Sequence, residues 1–194
     1  MNMINWLDDT VYSGMTAIMS PVLTEVVKII THFGDVIVVV ALSAILFAIP
    51  KTRKSFGIPV SIAVIVAGVL SQAFKYIFAR ARPDEIYHLV QASNSSSFPS
   101  AHTMLATAFF AVIALIVFHK WKHSGKRTGI LIACDAMVVL VGLSRVYLGV
   151  HYITDVIAGW IFGFAIAYIT YRVVVKRKSK KTKKKEEPSE DDLE

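Results

Sequence analysis

The chain has 194 residues and a formal net charge of +7; 55% of its residues are hydrophobic, 18% are charged, and its mean hydropathy is +0.56. One core of this size cannot bury so large an apolar fraction, which excludes a soluble globular domain and indicates an integral membrane protein. The single cysteine, Cys134, excludes a disulfide within the chain and a cysteine-based zinc site.

Six apolar stretches follow one another and predict six membrane-spanning helices in an all-α bundle. They lie at about 11–33, 35–49, 57–79, 101–118, 128–147 and 152–174. A hydrocarbon core of about 30 Å needs about 20 helical residues, and the last four stretches come close to that length. The first contains Pro21, Glu25 and Lys28, so the alternative is that its opening part lies along the membrane interface. The second is short. We expect one membrane domain over residues 1–175, followed by a charged tail over residues 176–194.

The basic residues of the connections predict the orientation of the chain. They lie in KTRK at 51–54, in HKWKHSGKR at 119–127 and in the tail. Cytoplasmic connections carry an excess of Lys and Arg, so both chain ends of this multi-pass cell-membrane protein are expected in the cytoplasm. The 80–100 loop and the 148–151 link then share the extracellular face. The tail is expected to be disordered, with its basic run near anionic lipid rather than nucleic acid.

Three polar clusters belong to that extracellular face, in the order KYIFARARP, FPSAH and SRVYLGVHYITD. The first holds Lys75 and Arg82, and the third holds Arg145. A charge at the centre of a membrane helix costs about 2.5–3.5 kcal/mol on insertion scales. Three cations converging where Lys and Arg should be few therefore favour a bound anion. Arg80 is interpreted as a rim or lipid-headgroup contact.

The second cluster predicts a helix that begins at Ser100. Ser100 stands at the N-cap position, and His102 is the second residue of the helix. Free backbone N–H groups and a partial positive charge make a helix start a natural phosphate site. By itself, however, this pattern is more typical of a simple capped helix.

The third cluster places His151 and Asp155 four residues apart, on one face of a helix. An Asp that accepts from one imidazole nitrogen leaves the lone pair of the other free for nucleophilic attack. A structural His–Asp pair is the alternative, and the nearby cations favour the catalytic interpretation. The set suits phosphoryl transfer, with cations on the phosphoryl oxygens, His151 as nucleophile and His102 as proton donor. No carboxylate cluster has metal-binding spacing, so no metal and no cofactor are expected.

Together the clusters resemble the type 2 phosphatidic acid phosphatase superfamily. Its pattern is Lys, six residues, Arg-Pro; then Pro-Ser-Gly-His; then Ser-Arg, five residues, His, three residues, Asp. The matching residues keep this order and spacing: Lys75, Arg82 and Pro83, then Pro99, Ser100 and His102, then Ser144, Arg145, His151 and Asp155. Ala101 departs from the pattern, because it replaces the usual Gly. It adds a methyl group where phosphate approaches and removes easy access to positive φ.

The resemblance implies a helical bundle with its active site at the outer membrane interface. It implies a phosphohistidine intermediate on His151, assisted by Asp155. His102 would be the acid for the leaving alcohol and then the base for the attacking water. Phosphate binding is implied for Lys75, Arg82, Ser100, Arg145 and the amide of Ala101, with a secondary role for Ser144.

Among bacterial members, the chain is most similar to the phosphatidylglycerophosphatase B and undecaprenyl-diphosphate phosphatase groups. We expect a phospholipid phosphate substrate, with phosphatidylglycerophosphate favoured, phosphatidic acid as a further substrate and undecaprenyl diphosphate as the alternative. An anionic-solute transporter is the alternative of another class, and a phosphate-lipid-binding protein without turnover is a third.

Three further interpretations concern residues outside the clusters. Asp35 is expected to be a favourable charge at a helix start, with a role at the rim of the active site as the alternative. Asp135 is expected to be a structural partner for the basic cytoplasmic loop. Gly159 and Gly163 are expected to allow close helix contact, either in the bundle or in a dimer.

Overall fold

The computed structural model describes residues 3–176, and within that range the chain is all-helical, as the sequence predicts. Eight α-helices follow one another: α1 (Met3–Ala17), α2 (Pro21–Thr31), α3 (Val36–Ala48), α4 (Pro50–Thr52), α5 (Ile58–Phe78), α6 (Ala101–Lys120), α7 (Gly125–Tyr147) and α8 (Ile153–Thr170). Short 3-10 helices at His32–Gly34 and Glu85–Tyr87 and π-helical segments at Arg53–Gly57 and Tyr171–Lys176 accompany them. Apart from residue 176, the predicted charged tail lies outside the described residues.

Four helical segments of the described chain are long and apolar enough to cross a membrane: Pro50–Phe78, Ala101–Lys120, Gly125–Tyr147 and Ile153–Lys176. They correspond to the last four predicted spans. Pro21–Gly34 and Val36–Ala48 meet at a bend of 54° and qualify together as either one broken span or a re-entrant loop. Residues 3–176 therefore support four or five spans, and six spans are not confirmed.

The prediction of a single span over 11–33 is wrong, because the chain breaks between α1 and α2. Ser20 caps α2 by accepting a hydrogen bond from the Leu23 amide (3.3 Å), and Pro21 follows it at the helix start. Proline fits the first turn of a helix but cannot continue a preceding one. The predicted span at 35–49 agrees with α3 in its bounds. However, the 13 residues of α3 measure about 20 Å, too short to cross alone.

Helix α6 forms the centre of the bundle and packs against α5, α7 and α8. Its residues Met104, Leu105 and Val112 are almost fully buried, in one cluster with Val60 and Val64. Burying a side chain of this kind stabilises the fold by about 1.5–3 kcal/mol. The first turn of α6 is therefore held at a fixed position within the bundle.

Two glycines let α8 approach α6 closely. A Cβ atom on Gly159 would lie 2.9 Å from the Thr103 Cβ, and one on Gly163 would lie 2.6 Å from the Thr107 Cβ and 2.8 Å from the Met104 carbonyl oxygen. Of the two expected uses of these glycines, the structure shows the contact within the bundle. This contact holds the start of α8 beside the start of α6.

The loop between α5 and α6 and the link between α7 and α8 meet at one end of the bundle. The Leu89 amide donates to the Leu148 carbonyl (3.0 Å), and the Ser100 amide donates to the Asp155 carbonyl (3.1 Å). All three polar clusters of the sequence therefore lie at the same end, as the order of the spans predicts.

Asp135 does not pair with the basic loop. Its side chain is exposed on α7, in a groove that Thr107 and Phe164 also line. Among residues 3–176, no hydrogen bond or ion pair involves this carboxylate. Within the described chain, the interpretation of Asp135 as a structural partner is wrong.

Gly163→Ala is expected to destabilise the protein, because the new methyl group would lie 2.8 Å from the Met104 carbonyl oxygen. Overpacking of this kind costs about 1–3 kcal/mol, and thermal unfolding in detergent should show a lower Tm. Gly129→Ala is the matched control, since a Cβ atom there meets nothing within 4 Å. An equal Tm for the two variants would contradict the close contact between α6 and α8.

Candidate active site

A cavity of about 440 Å³ opens at the end of the bundle where the loop and the link meet. Six residues singled out from the sequence line it: Lys75, Arg82, Ala101, His102, Arg145 and His151. Ser100, Ser144 and Asp155 are buried and are not among the described residues that line the cavity. The structure thus brings the three sequence clusters together around one space.

Two cations of the cavity are held by neutral carbonyl oxygens. Lys75 is 5% exposed, and its Nζ donates to the Ser96 carbonyl. Arg82 donates from Nε to the Ser95 carbonyl (2.9 Å) and from Nη1 to the Val150 carbonyl (2.8 Å). These bonds orient both side chains without cancelling their charge.

A third cation, Arg145, is 6% exposed and incompletely bonded. Its Nη1 donates to Thr31 Oγ1 (2.7 Å), while its buried Nε finds no hydrogen-bond partner in the described chain. We call Lys75, Arg82 and Arg145 the cavity cations. Within residues 3–176, no carboxylate forms an ion pair with any of them. Buried charges are unfavourable unless they are paired, so this arrangement favours binding of an anion.

His151 lies on the cavity wall with Asp155 behind it. Its Nδ1 faces Asp155 Oδ2 at 3.4 Å, and its Nε2 lies 3.2 Å from Arg82 Nη1. A guanidinium can only donate, so Nε2 is the acceptor and carries the lone pair. Nδ1 then carries the hydrogen and points to the carboxylate. This tautomer is the one in which Nε2 can act as a nucleophile.

The charges of the cavity also control the protonation of His151. Burial and the nearby charges of Arg145, Arg82 and Lys75 hold the pKa of His151 well below its usual range. The imidazole therefore stays neutral at pH values at which an exposed histidine would be protonated. The cations that attract an anion thus also keep the nucleophilic nitrogen free.

Asp35 bridges two imidazoles at the break between α2 and α3. Its Oδ1 lies 2.5 Å from His102 Nε2, and its Oδ2 lies 2.5 Å from His32 Nδ1. An ionised carboxylate only accepts, so His102 Nε2 carries a hydrogen and Nδ1 remains for a ligand. Asp35 is the N-cap residue of α3, but its side chain makes no capping bond. Its bond to His102 spans 67 positions of sequence, which no local pattern predicts.

The first turn of α6 begins at Ser100, as predicted. Ser100 Oγ accepts from Thr103 Oγ1 (2.9 Å), so this hydroxyl faces Thr103 within the protein. Ala101 lines the cavity and is the first residue of α6, so it needs no positive φ. Replacement of the usual Gly therefore introduces no backbone strain at this position. Ser144 Oγ donates to the Val141 carbonyl (2.6 Å) and is buried.

Arg80 is not a rim or lipid-headgroup contact, and that interpretation is wrong. Its Nη1 donates to Asp155 Oδ1 (2.6 Å), and its Nη2 donates to Asp8 Oδ2 (2.7 Å). Unlike the cavity cations, Arg80 is therefore neutralised by carboxylates. Sequence spacing could not show this pairing, because Asp8 lies 72 positions away. One feature of the sequence could have suggested a partner for Arg80: Asp8 is an acidic residue just before the first apolar stretch.

The PAP2 superfamily matches over residues 56–179. Phosphatidylglycerophosphatase B of Bacillus subtilis is 34% identical over 173 residues, which cover 87% of this chain and 83% of that protein. Undecaprenyl-diphosphatase of Sulfolobus acidocaldarius is 34% identical over 148 residues, covering 74% of this chain and 67% of that protein. The crystal structure of a transmembrane PAP2 type phosphatidylglycerolphosphate phosphatase from Bacillus subtilis superposes with a TM-score of 0.75 and 33% identity, covering 89% of this chain and 86% of that one.

Inorganic phosphate is expected to raise the Tm of the protein in detergent, because no carboxylate of the described residues pairs with the cavity cations. Arg145→Gln should remove most of this shift, since it takes away a buried charge and an unpartnered N–H. Arg172→Gln is the control; this exposed Arg bonds to the Tyr168 hydroxyl and should leave the phosphate-dependent shift unchanged. A full shift in the Arg145 variant would show that the cavity is not the anion site.

Proposed function

The chain belongs to the PAP2 superfamily and is a membrane lipid phosphatase, and within that family we propose that it dephosphorylates phosphatidylglycerophosphate. One observation carries the proposed chemistry: three cations that have no carboxylate partner among residues 3–176 share one cavity with His151, whose Nε2 faces Arg82 and carries the lone pair. The choice of lipid is supported by the similarity to phosphatidylglycerophosphatase B, which extends over most of both chains. Phosphatidic acid, another phosphate monoester of a lipid, is a further candidate substrate.

In the first step, the phosphoryl group lies among the cavity cations, which stabilise the charge on its equatorial oxygens. Arg82 turns from His151 Nε2 to a phosphoryl oxygen, and Nε2 attacks the phosphorus in line with the ester oxygen. His102 enters this step as an imidazolium, with one hydrogen on Nε2 toward Asp35 and a second on Nδ1. The P–O bond to the lipid alcohol breaks, and His102 Nδ1 gives its proton to the leaving oxygen. The phosphohistidine ring that forms is positive, and the Asp155 carboxylate stabilises it.

In the second step, water attacks the phosphohistidine and releases inorganic phosphate. His102 Nδ1, now without its proton, accepts a proton from the attacking water and returns to its starting state. The bond from His102 Nε2 to Asp35 keeps the ring in one orientation through both steps. The Asp35 carboxylate also stabilises the protonated ring, which is the form needed to protonate the leaving alcohol.

The reaction is proposed to need no metal ion. Among residues 3–176, no three His, Cys, Asp or Glu side chains converge as a metal site, and the cavity cations supply the charge that a metal would bring. The excess of Lys and Arg at 51–54 and 119–127 supports cytoplasmic chain ends and an active site on the extracellular side. The basic run at 176–185 supports contact with anionic lipid.

Undecaprenyl diphosphate is the alternative substrate, and the similarity to the undecaprenyl-diphosphatase of Sulfolobus acidocaldarius favours it. The same in-line attack on its terminal phosphorus would break a phosphoanhydride bond, whose leaving group needs less protonation. The anionic-solute transporter is not retained, because the chain is a phosphoric monoester hydrolase by family.

Purified protein in detergent with a chelator should release phosphate from phosphatidylglycerophosphate faster than from phosphatidic acid or undecaprenyl diphosphate. His151→Ala should abolish this release, because it removes the imidazole on which the covalent intermediate is proposed to form. His119→Ala, whose imidazole bonds to the Leu115 carbonyl on exposed surface of α6, is the control. Activity that survives His151→Ala would remove the nucleophile. A faster rate on undecaprenyl diphosphate would replace the proposed substrate.

Asp35→Asn is expected to slow lipid hydrolysis by roughly 100-fold, the lower end of general acid–base contributions. An alkyl oxygen needs the proton of His102 to leave, whereas p-nitrophenolate leaves without one. Hydrolysis of p-nitrophenyl phosphate by the same variant should therefore fall far less. Asp84→Asn, a change to an exposed acid of the loop, should alter neither rate. Equal losses on the two substrates would contradict the proposed pairing of Asp35 with the acid.

A further inference from the structure

We propose that Asp8 of α1 is a positioning residue for the His151–Asp155 pair and acts on it through Arg80. This inference rests on the proposed phosphohistidine chemistry. Helix α1 precedes residues 56–179, over which the family matches, and Asp8 belongs to none of the three sequence clusters. Helix α1, which lies outside the family pattern, would thus affect the reactivity of the nucleophile His151.

Asp8 is joined to the active site by a set of short bonds. It is 4% exposed, and its Oδ2 accepts from Arg80 Nη2 (2.7 Å). Its Oδ1 accepts from the Thr154 amide (3.1 Å) and from Thr154 Oγ1 (3.0 Å). Thr154 lies in the first turn of α8, one residue before Asp155. Asp8 therefore holds two groups in place: the Arg80 guanidinium, which bonds to the Asp155 carboxylate, and the backbone of Thr154, which precedes Asp155.

Arg80 differs from the cavity cations in the groups that its guanidinium contacts. One end of its fork donates to Asp155 Oδ1 (2.6 Å) and Thr154 Oγ1 (2.7 Å), and the other end donates to Asp8. Its guanidinium also stacks over the Tyr152 ring at 4.2 Å. Arg80 does not line the cavity that holds His102 and the cavity cations. Its charge is directed at the carboxylate behind the nucleophile rather than at the substrate.

The net charge of Asp8, Arg80 and Asp155 affects the stability of the phosphohistidine intermediate. Asp8 and Asp155 are two carboxylates on one guanidinium, so the ionised group carries a single net negative charge. Asp155 is 0% exposed, and without a cation this carboxylate would be costly to keep ionised. Arg80 alone would cancel its charge, whereas Arg80 shared with Asp8 leaves negative charge beside the His151 ring. That charge stabilises the positive ring that forms when Nε2 bonds to phosphorus.

A simpler role for Asp8 would be to anchor α1 to the bundle. The two roles differ in what Thr154→Val should do. This change removes the hydroxyl contacts to Asp8 and Arg80 but keeps the Asp8–Arg80 ion pair and all the charges. An anchoring role predicts that Thr154→Val and Asp8→Asn lower stability and activity together. The positioning role predicts that loss of the Asp8 charge slows phosphoryl transfer much more than loss of the Thr154 hydroxyl.

The test compares kcat, KM and phosphohistidine formation in the full-length protein, with phosphatidylglycerophosphate radiolabelled in its terminal phosphate as substrate and rapid quenching in alkali. Asp8→Asn should lower kcat and the rate of phosphoenzyme formation by roughly 10-fold or more, with KM within about 2-fold, because the cavity cations are untouched. Asp9→Asn is the charge-matched control on α1; this acid is exposed and should leave both constants unchanged. Asp8→Glu, which keeps the charge, should recover most of the loss.

The outcomes separate this inference from the proposed function. An inactive wild-type protein would overturn the proposed function itself. An active wild type with an unchanged phosphorylation rate in Asp8→Asn would overturn only the role of Asp8, as would an equal loss in Thr154→Val. If Asp8→Asn does not fold, Arg80→Lys takes its place, since one ammonium cannot reproduce the two-ended fork. Unchanged phosphorylation in that variant would likewise overturn the inference.

Discussion

The architecture of the site depends on one constraint: the three cavity cations must be held near a membrane without being neutralised. The cavity cations are bonded to carbonyl oxygens and to one hydroxyl, and none has a carboxylate partner in the described chain. This explains the long Ser-rich loop before α6, because its backbone supplies the oxygens that orient Lys75 and Arg82. A short helical turn could not bring that many carbonyl groups to one point. The energy cost of the unpaired charges is offset when an anion binds.

The N-terminal part of the chain completes a site whose recognisable residues come later in the sequence. Thr31 bonds to Arg145, Asp35 to His102 and Asp8 to Arg80. Each of these contacts supports a different sequence cluster from outside the matched residues 56–179. Proteins that share the three clusters can therefore differ in catalytic behaviour through this N-terminal part alone.

The sequence predicts those features that depend on local spacing. The His151–Asp155 pair, the start of α6 at Ser100 and the last four spans all follow from periodicity or capping, and the structure contains each of them. Hydropathy missed the break at Ser20–Pro21, because both sides of it are apolar. The partners of Arg80 and Asp35 were not predicted, for another reason: they are distant in sequence and are brought near only by packing of α1, α2 and α3 against the bundle.

The size of the cavity has a consequence for how lipids are told apart. A space of about 440 Å³ accommodates a phosphorylated headgroup, but the hydrocarbon chains of a membrane lipid are far larger and must stay among neighbouring lipids. Under the proposed function, we therefore expect discrimination to depend on the few atoms next to the scissile bond. We expect such an enzyme to hydrolyse lipids that differ in fatty-acid length and saturation at similar rates.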